Sequence, residues 1–142
     1  MAGFGTTFMK SVNEAVFRGG SLPTLTTLYI SLHTASPGVD GQTANEVSGG
    51  SYARVAVTSN TTNWGAATNA DPSVIANATA ITFPTASGSW GTVSHFGIWN
   101  HATNTAAANF VGATGLTASQ TIASTNTASF AVGALTHSLD SV

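Results

Sequence analysis

The hydrophobic period of this chain changes once, just after the glycine pair Gly19-Gly20, and that change fixes the class of fold available to it. Before it, from about Thr7 to Arg18, the apolar residues Phe8, Val12 and Val16 recur at i, i+4 and i+8, with Met9 and Ala15 flanking the same face. That spacing predicts a short amphipathic helix. Thr6 or Thr7 is suited to cap its start, and Gly19-Gly20 to stop it. After Pro23 the period becomes two. In Thr26–Thr34, Leu28, Ile30 and Leu32 share one side, and Tyr29, Ser31 and His33 the other. This is the pattern of a half-buried strand. Tyr52–Thr58 alternates in the same way.

Further strands are expected at Ala78–Phe83, ending at Pro84, and at Thr92–Trp99 after the turn Ser87-Gly88-Ser89. Three more are expected near Ala107–Ala113, Thr121–Ala123 and Ala128–Leu139. Ser59–Ser73 reads as a polar, turn-rich stretch. Val47-Ser48-Gly49-Gly50-Ser51 reads as a tight loop that needs positive φ angles. Seven or eight short strands with no helices alternating between them indicate an all-β antiparallel β-sandwich of jelly-roll or Greek-key type, with one short N-terminal helix. Residues 1–24 are read as helix and linker, and 25–142 as the β-sandwich, together one structural unit.

Charge separates this chain from ordinary soluble domains. Asp, Glu, Lys and Arg make up 6% of its 142 residues, against roughly 25% in a typical domain. Lys10, Arg18 and Arg54 are its basic residues, too few and too scattered to neutralise a run of phosphates, so nucleic acid is not an expected partner. No apolar stretch approaches the ~20 residues that span a bilayer. The N-terminus lacks the charged start and apolar run of a secretion signal. The surface must be built largely from Thr, Ser, Asn, Ala and Gly. These cost less side-chain entropy and desolvation to cover than Lys or Glu, so the composition suits permanent contact with other chains.

The chemistry of catalysis is thinly represented. Glu14, Asp40, Glu46, Asp71 and Asp140 are dispersed, with no local carboxylate pair. His33, His95, His101 and His137 form neither H-x-H nor HExxH, so no zinc site has local support, although His33 and His95 could meet across a sheet. Serines abound without a G-x-S-x-G elbow. Without cysteine there is no thiolate ligand or disulfide. No catalytic residue, metal or cofactor is expected, and the chain reads as a non-enzyme. Trp64, Trp90 and Trp99, with Tyr29 and Tyr52, could make a sugar-stacking platform, but packing in the core and against other subunits is the simpler use. Trp64 is the best candidate for an exposed ring. The candidate interface residues are Tyr52, Arg54, Trp64, Trp90, Trp99 and Phe8. Arg54 is further expected either to enter a buried ion pair with Glu46 or Asp40, or to stand as a solvated strand charge.

Three runs carry a resemblance. The first is Leu28-Tyr29-Ile30-Ser31-Leu32-His33-Thr34-Ala35-Ser36-Pro37-Gly38. The second, Asn45 to Val57, contains EVSGGSYAR. The third, Ile81 to Trp99, contains FP followed by WGTVSHFGIW. With Phe130-Ala131-Val132-Gly133-Ala134-Leu135-Thr136, they resemble a family of small tailed-phage virion proteins. Its members are labelled tail fibre or minor tail proteins, and some are similar to capsid cement (decoration) proteins. Ala102–Asn109 departs from the family pattern.

The resemblance implies a virion structural protein and no catalytic residues. A single compact domain has no shaft, which favours capsid cement: a homotrimer, with a homodimer as second choice, on the outer surface of the capsid, bridging subunits of the major capsid protein. The alternatives are a tail-fibre or minor tail component involved in host adsorption and, from another class, a carbohydrate-binding β-sandwich module.

Overall fold

The computed structural model describes residues 3–140. Among them the helix α1 spans Thr6–Arg18, and the strands are β1 (Gly3–Phe4), β2 (Thr27–His33), β3 (Val55–Thr58), β4 (Ser73–Ala76), β5 (Ile81–Thr85), β6 (Gly91–Trp99), β7 (Phe110–Ile122), β8 (Thr127–Phe130) and β9 (Thr136–Leu139). All pairings are antiparallel. One five-stranded sheet runs β1-β7-β6-β2-β3, and β4–β9 and β5–β8 form two-stranded sheets. The result is an all-β sandwich with one short N-terminal helix, as the change of period predicts.

The core forms where the alternating strands aim their apolar faces. Ile30 pairs with Ile98, and Leu32 with Phe96, in the β2–β6 ladder. These four join Val57, Ile81, Phe83, Val93, Val111 and Leu135 in one buried cluster. Phe83 and Phe96 both pack edge-on against Phe130, at ring separations of 6.3 and 5.7 Å. Fully burying each such side chain contributes roughly 1.5–3 kcal/mol.

The opposite face of β2 is not the solvated face that its pattern predicts. Ser31 and His33 are completely buried. They register opposite Gly97 and His95 of β6, and the residues after β2 fold back over them. Thr34 donates its N–H to the Asn45 carbonyl, and Val47 donates to that of Leu32. Trp99 and Phe110, 4.9 Å apart, form a second small core on this face.

Several boundaries differ from the sequence reading. β3 begins at Val55, not Tyr52, because Tyr52 still belongs to the Gly49–Tyr52 turn, where its N–H bonds the Gly49 carbonyl. In that turn Gly49 and Gly50 hold φ of 71° and 55°, as expected, and Ser51 follows at 64°. β5 passes through Pro84 to Thr85, and the ladder to β8 shifts register between Thr82 and Thr85. That irregularity is where a sheet tolerates a residue without an N–H. The two strands expected near Ala107–Ala113 and Thr121–Ala123 are one, β7, preceded by a 3-10 turn over Ala107–Asn109. The single strand expected over Ala128–Leu139 is two, β8 and β9, broken by a turn in which Gly133 has φ 78°. β1 lies in the segment read as helix and linker, and β4 begins at the end of the turn-rich stretch, where no strand is expected.

The helix is corrected more deeply. Gly5 is its N-cap, with no side-chain cap, so neither Thr6 nor Thr7 serves. Its start is instead held by the body's backbone: Gly5 N–H bonds the Val111 carbonyl and Thr6 N–H bonds that of Val39. Gly19 does stop it, in the left-handed conformation, with Gly20 N–H on the Glu14 carbonyl. Phe8 and Val12 are half-buried, but Met9, Val16 and Phe17 are exposed, Phe17 by 81%. The second half of α1 therefore presents apolar side chains outward.

Gly97 leaves the space that the buried outer face uses. A Cβ there would meet Ser31 Oγ at 2.6 Å, His33 Nε2 at 3.0 Å and Trp99 Nε1 at 3.1 Å. Gly97→Ala should destabilise the protein by about 1–3 kcal/mol, read as a lower urea midpoint. Gly115→Ala, whose Cβ would meet the His95 ring at an ordinary 3.6 Å, should stay close to wild type. Equal midpoints for the two variants would contradict this account.

Candidate functional site

Two of the few ionised groups of this chain, Glu46 and Arg54, meet at one buried point. Glu46 stands just beyond the 3-10 turn Thr43–Asn45, bridged to His33 at the end of β2. Arg54 stands one residue before β3, across the Gly49-Gly50 turn. The turn brings the two side chains together as a two-pronged pair: Arg54 Nε donates to Glu46 Oε1 at 2.8 Å and Nη2 to Oε2 at 2.7 Å. Their side chains are 4% and 11% exposed. Of the two arrangements considered for Arg54, the buried pair is realised, and Glu46 rather than Asp40 is its partner.

Backbone carbonyls nearby take up two further guanidinium bonds. Arg54 Nη1 donates to the carbonyls of His101 (3.1 Å) and Asn104 (3.4 Å). The plane lies over Trp99, 3.8 Å from the ring centroid, well within cation–π range. His101 in turn shapes the loop it sits on, its Nδ1 accepting from the N–H groups of Thr103 and Asn104. Arg54 thus clamps the segment after β6.

Tyr52 links the pair to β2. Its hydroxyl accepts from Leu32 N–H (2.9 Å) and donates to Glu46 Oε1 (3.1 Å). Burial, and then the Glu46 charge, push that hydroxyl far above the ordinary phenol range. On the face of β2 that carries the pair, Trp99 Nε1 donates to Ser31 Oγ (2.8 Å), which shares a 2.7 Å hydrogen bond with His33 Nε2. A serine and a histidine in contact invite comparison with a nucleophile and its base. Both are completely buried, however, beneath the loops that fold over this face. His33 Nδ1 has no hydrogen-bond partner among the described residues. Burial lowers its pKa from 6.5 to about 4, with Arg54 and His95 acting in the same direction and Glu46 against it. Burial also lowers His95 and His137. No group of three or more potential metal ligands occurs among the described residues.

The six candidate interface residues have separate fates. Trp64, expected to be exposed, is 8% exposed; its backbone is pinned by a bridge to Asn77, and its ring joins the main core. Trp90 is buried against Tyr52, 5.3 Å between ring centres, with its Nε1 on the Gly50 carbonyl. Trp99 has no exposed surface. In this fold all three rings face the interior, because the loops that read as solvated fold over them. Tyr52 and Arg54 are tied into the ionic cluster. Phe8 is half-buried and packs on Phe4 at 4.6 Å.

Phe8 also lines an open apolar groove of about 520 Å³, with Phe4, Leu25, Leu28, Ile75 and Leu139 among its walls. Sequence reasoning missed it because its walls come from both ends of the chain. Val74 and Ile75, an apolar pair directly after the turn-rich stretch, were the available signal for β4.

Strong polar contacts thus lock the fold internally, while apolar side chains of α1 and its linker remain outside. A family model described as Podophage GP4 fiber I protein gp80 matches residues 3–138. The chain is a bacteriophage structural protein. It belongs to the Podophage GP4 fiber I protein gp80 family. No curated protein matches it closely enough to count as a relative.

Two outcomes follow from the cluster. Arg54→Ala leaves the Glu46 carboxylate buried without its counter-charge and should cost about 3–5 kcal/mol, whereas Glu46→Gln combined with Arg54→Met should cost much less. Urea titration of both variants checks this, and an equal loss would contradict it. For pH, the folded His33 resists a proton that the unfolded chain accepts below 6.5. Stability should therefore hold above about pH 6.5 and fall as the pH drops toward 4. His33→Gln should flatten part of that slope in thermal melts taken across the range.

Proposed function

We propose that this chain is a fibre subunit of the phage tail, working as a homotrimer through protein–protein packing rather than catalysis. The observation that carries this reading is the match, over nearly the whole chain, to a family described as a fibre protein. Two features support it. Met9, Val16, Phe17 and Leu22 expose apolar surface along α1 and its linker, an arrangement typical of surfaces that another chain covers. The charged residues at the surface include Lys10, Glu14 and Arg18 on that same helix, joined in exposed i,i+4 pairs that contribute little. The inward placement of Trp64, Trp90 and Trp99 weighs against a carbohydrate platform built on those three rings.

Capsid decoration shares the packing chemistry and differs in copy number and place. Gel densitometry of purified particles against the major capsid protein separates the two. A handful of copies per particle, lost when tails are sheared from heads, is expected. A ratio near one per capsid chain, retained on isolated heads, would replace the tail reading with the decoration one.

A further inference from the structure

A second groove, of about 1000 Å³, opens between β7 and β8. Consecutive residues 116–118 and 120–122 line one wall, and all four residues of β8 line the other. Side chains of successive strand residues point to opposite faces. A groove lined by consecutive residues therefore runs along a strand's edge and not over its face, and here both walls are edges.

Those edges lack ladder partners. β8 pairs with β5 on one side, and no described strand pairs with its other side. β7 faces β6 at Gly115 (opposite His95) and again at Gln120 (opposite Val93). One residue of β6, Ser94, thus stands against four of β7, and Leu116–Ser119 leave the ladder. β1 covers β7 at Gly112 and Ala113, short of this stretch. At the closed end, Thr125 holds φ 73°, a conformation that costs a β-branched residue energy. The floor is apolar, with Leu32, Val93 and Phe130, and no Asp, Glu, Lys or Arg lines the groove.

We propose that this groove receives an extended, uncharged strand from a different protein of the virion. A row of unpaired backbone N–H and C=O groups is complementary to another strand. An ionised side chain entering an uncharged groove would lose its hydration without compensation. A second copy of this chain does not supply the strand. Its described strands are already paired within its own fold, and its exposed linker, residues 19–24, is interrupted by Pro23, which lacks the N–H that pairing needs. The inference rests on the chain being assembled in a virion and is indifferent to whether that site is tail or head.

Hydrogen exchange by mass spectrometry, on the isolated chain and on purified particles, tests it. Peptides covering residues 116–122 and 127–130 should exchange roughly tenfold or more slowly in particles. A photo-crosslinking benzophenone side chain in place of Ala118 should yield an adduct with a different virion protein. Ala118→Lys should reduce incorporation into particles, and Ala118→Ser, similar in size and uncharged, should not. Unchanged exchange in particles overturns the proposal. So does a crosslink between two copies of this chain, or protection that appears in the isolated chain on concentration alone. A chain missing from particles refutes the functional reading as well; a chain present with both edges unprotected refutes this inference alone.

Discussion

The Glu46–Arg54 pair stacked on Trp99 is the contact on which the outer half of the molecule depends. It joins the turn before β3, the end of β2 through Tyr52, and the loop after β6 through the carbonyls of His101 and Asn104. Without it the main core under β2 and β6 would still have its aliphatic and aromatic partners, but the opposite face of those strands would lose its cover. Burying two charges is costly, and good two-pronged geometry with most of the guanidinium donors occupied is what makes it tolerable. Four N–H groups of Arg54 are engaged, and the ring of Trp99 fills the space beside its plane.

The same face shows how polar and apolar packing are interleaved. Ser31, His33 and the Trp99 indole N–H form a chain of hydrogen bonds directly above Gly97. The space is set by a missing side chain, and the polar groups fill it. On the other side of the sheet, Ile30, Leu32, Phe96 and Ile98 use the alternate positions of the same two strands. One pair of central strands thus serves two interiors of different character. This explains why β2 is buried on both faces at its C-terminal end.

Much of this was legible in the order of residues. Alternation located β2 and β6 almost to the residue, and Gly19 and Gly49-Gly50 marked turns that do take positive φ. What alternation could not reveal is which second face would be covered. The cover over Ser31 and His33 comes from loops that read locally as polar and solvated. Trp64 misled for the same reason: its neighbours are Asn, Thr and Gly, while the groups that bury it lie elsewhere in the chain. β7 was split because Gly115–Gln120 carries little apolar pattern, and the structure shows that its middle indeed leaves the ladder. The Glu46–Arg54 partnership was within reach because a glycine turn spans the interval between them. Neither groove was, since each is walled by segments far apart in sequence.

The helix is fastened to the body at its first turn by amide-to-carbonyl bonds, Gly5 to Val111 and Thr6 to Val39, which use no side-chain atoms. Every residue type except proline offers the same donor. An attachment of that kind is indifferent to what the helix displays. Its outward positions can change without touching that attachment, while the sandwich beneath keeps its shape.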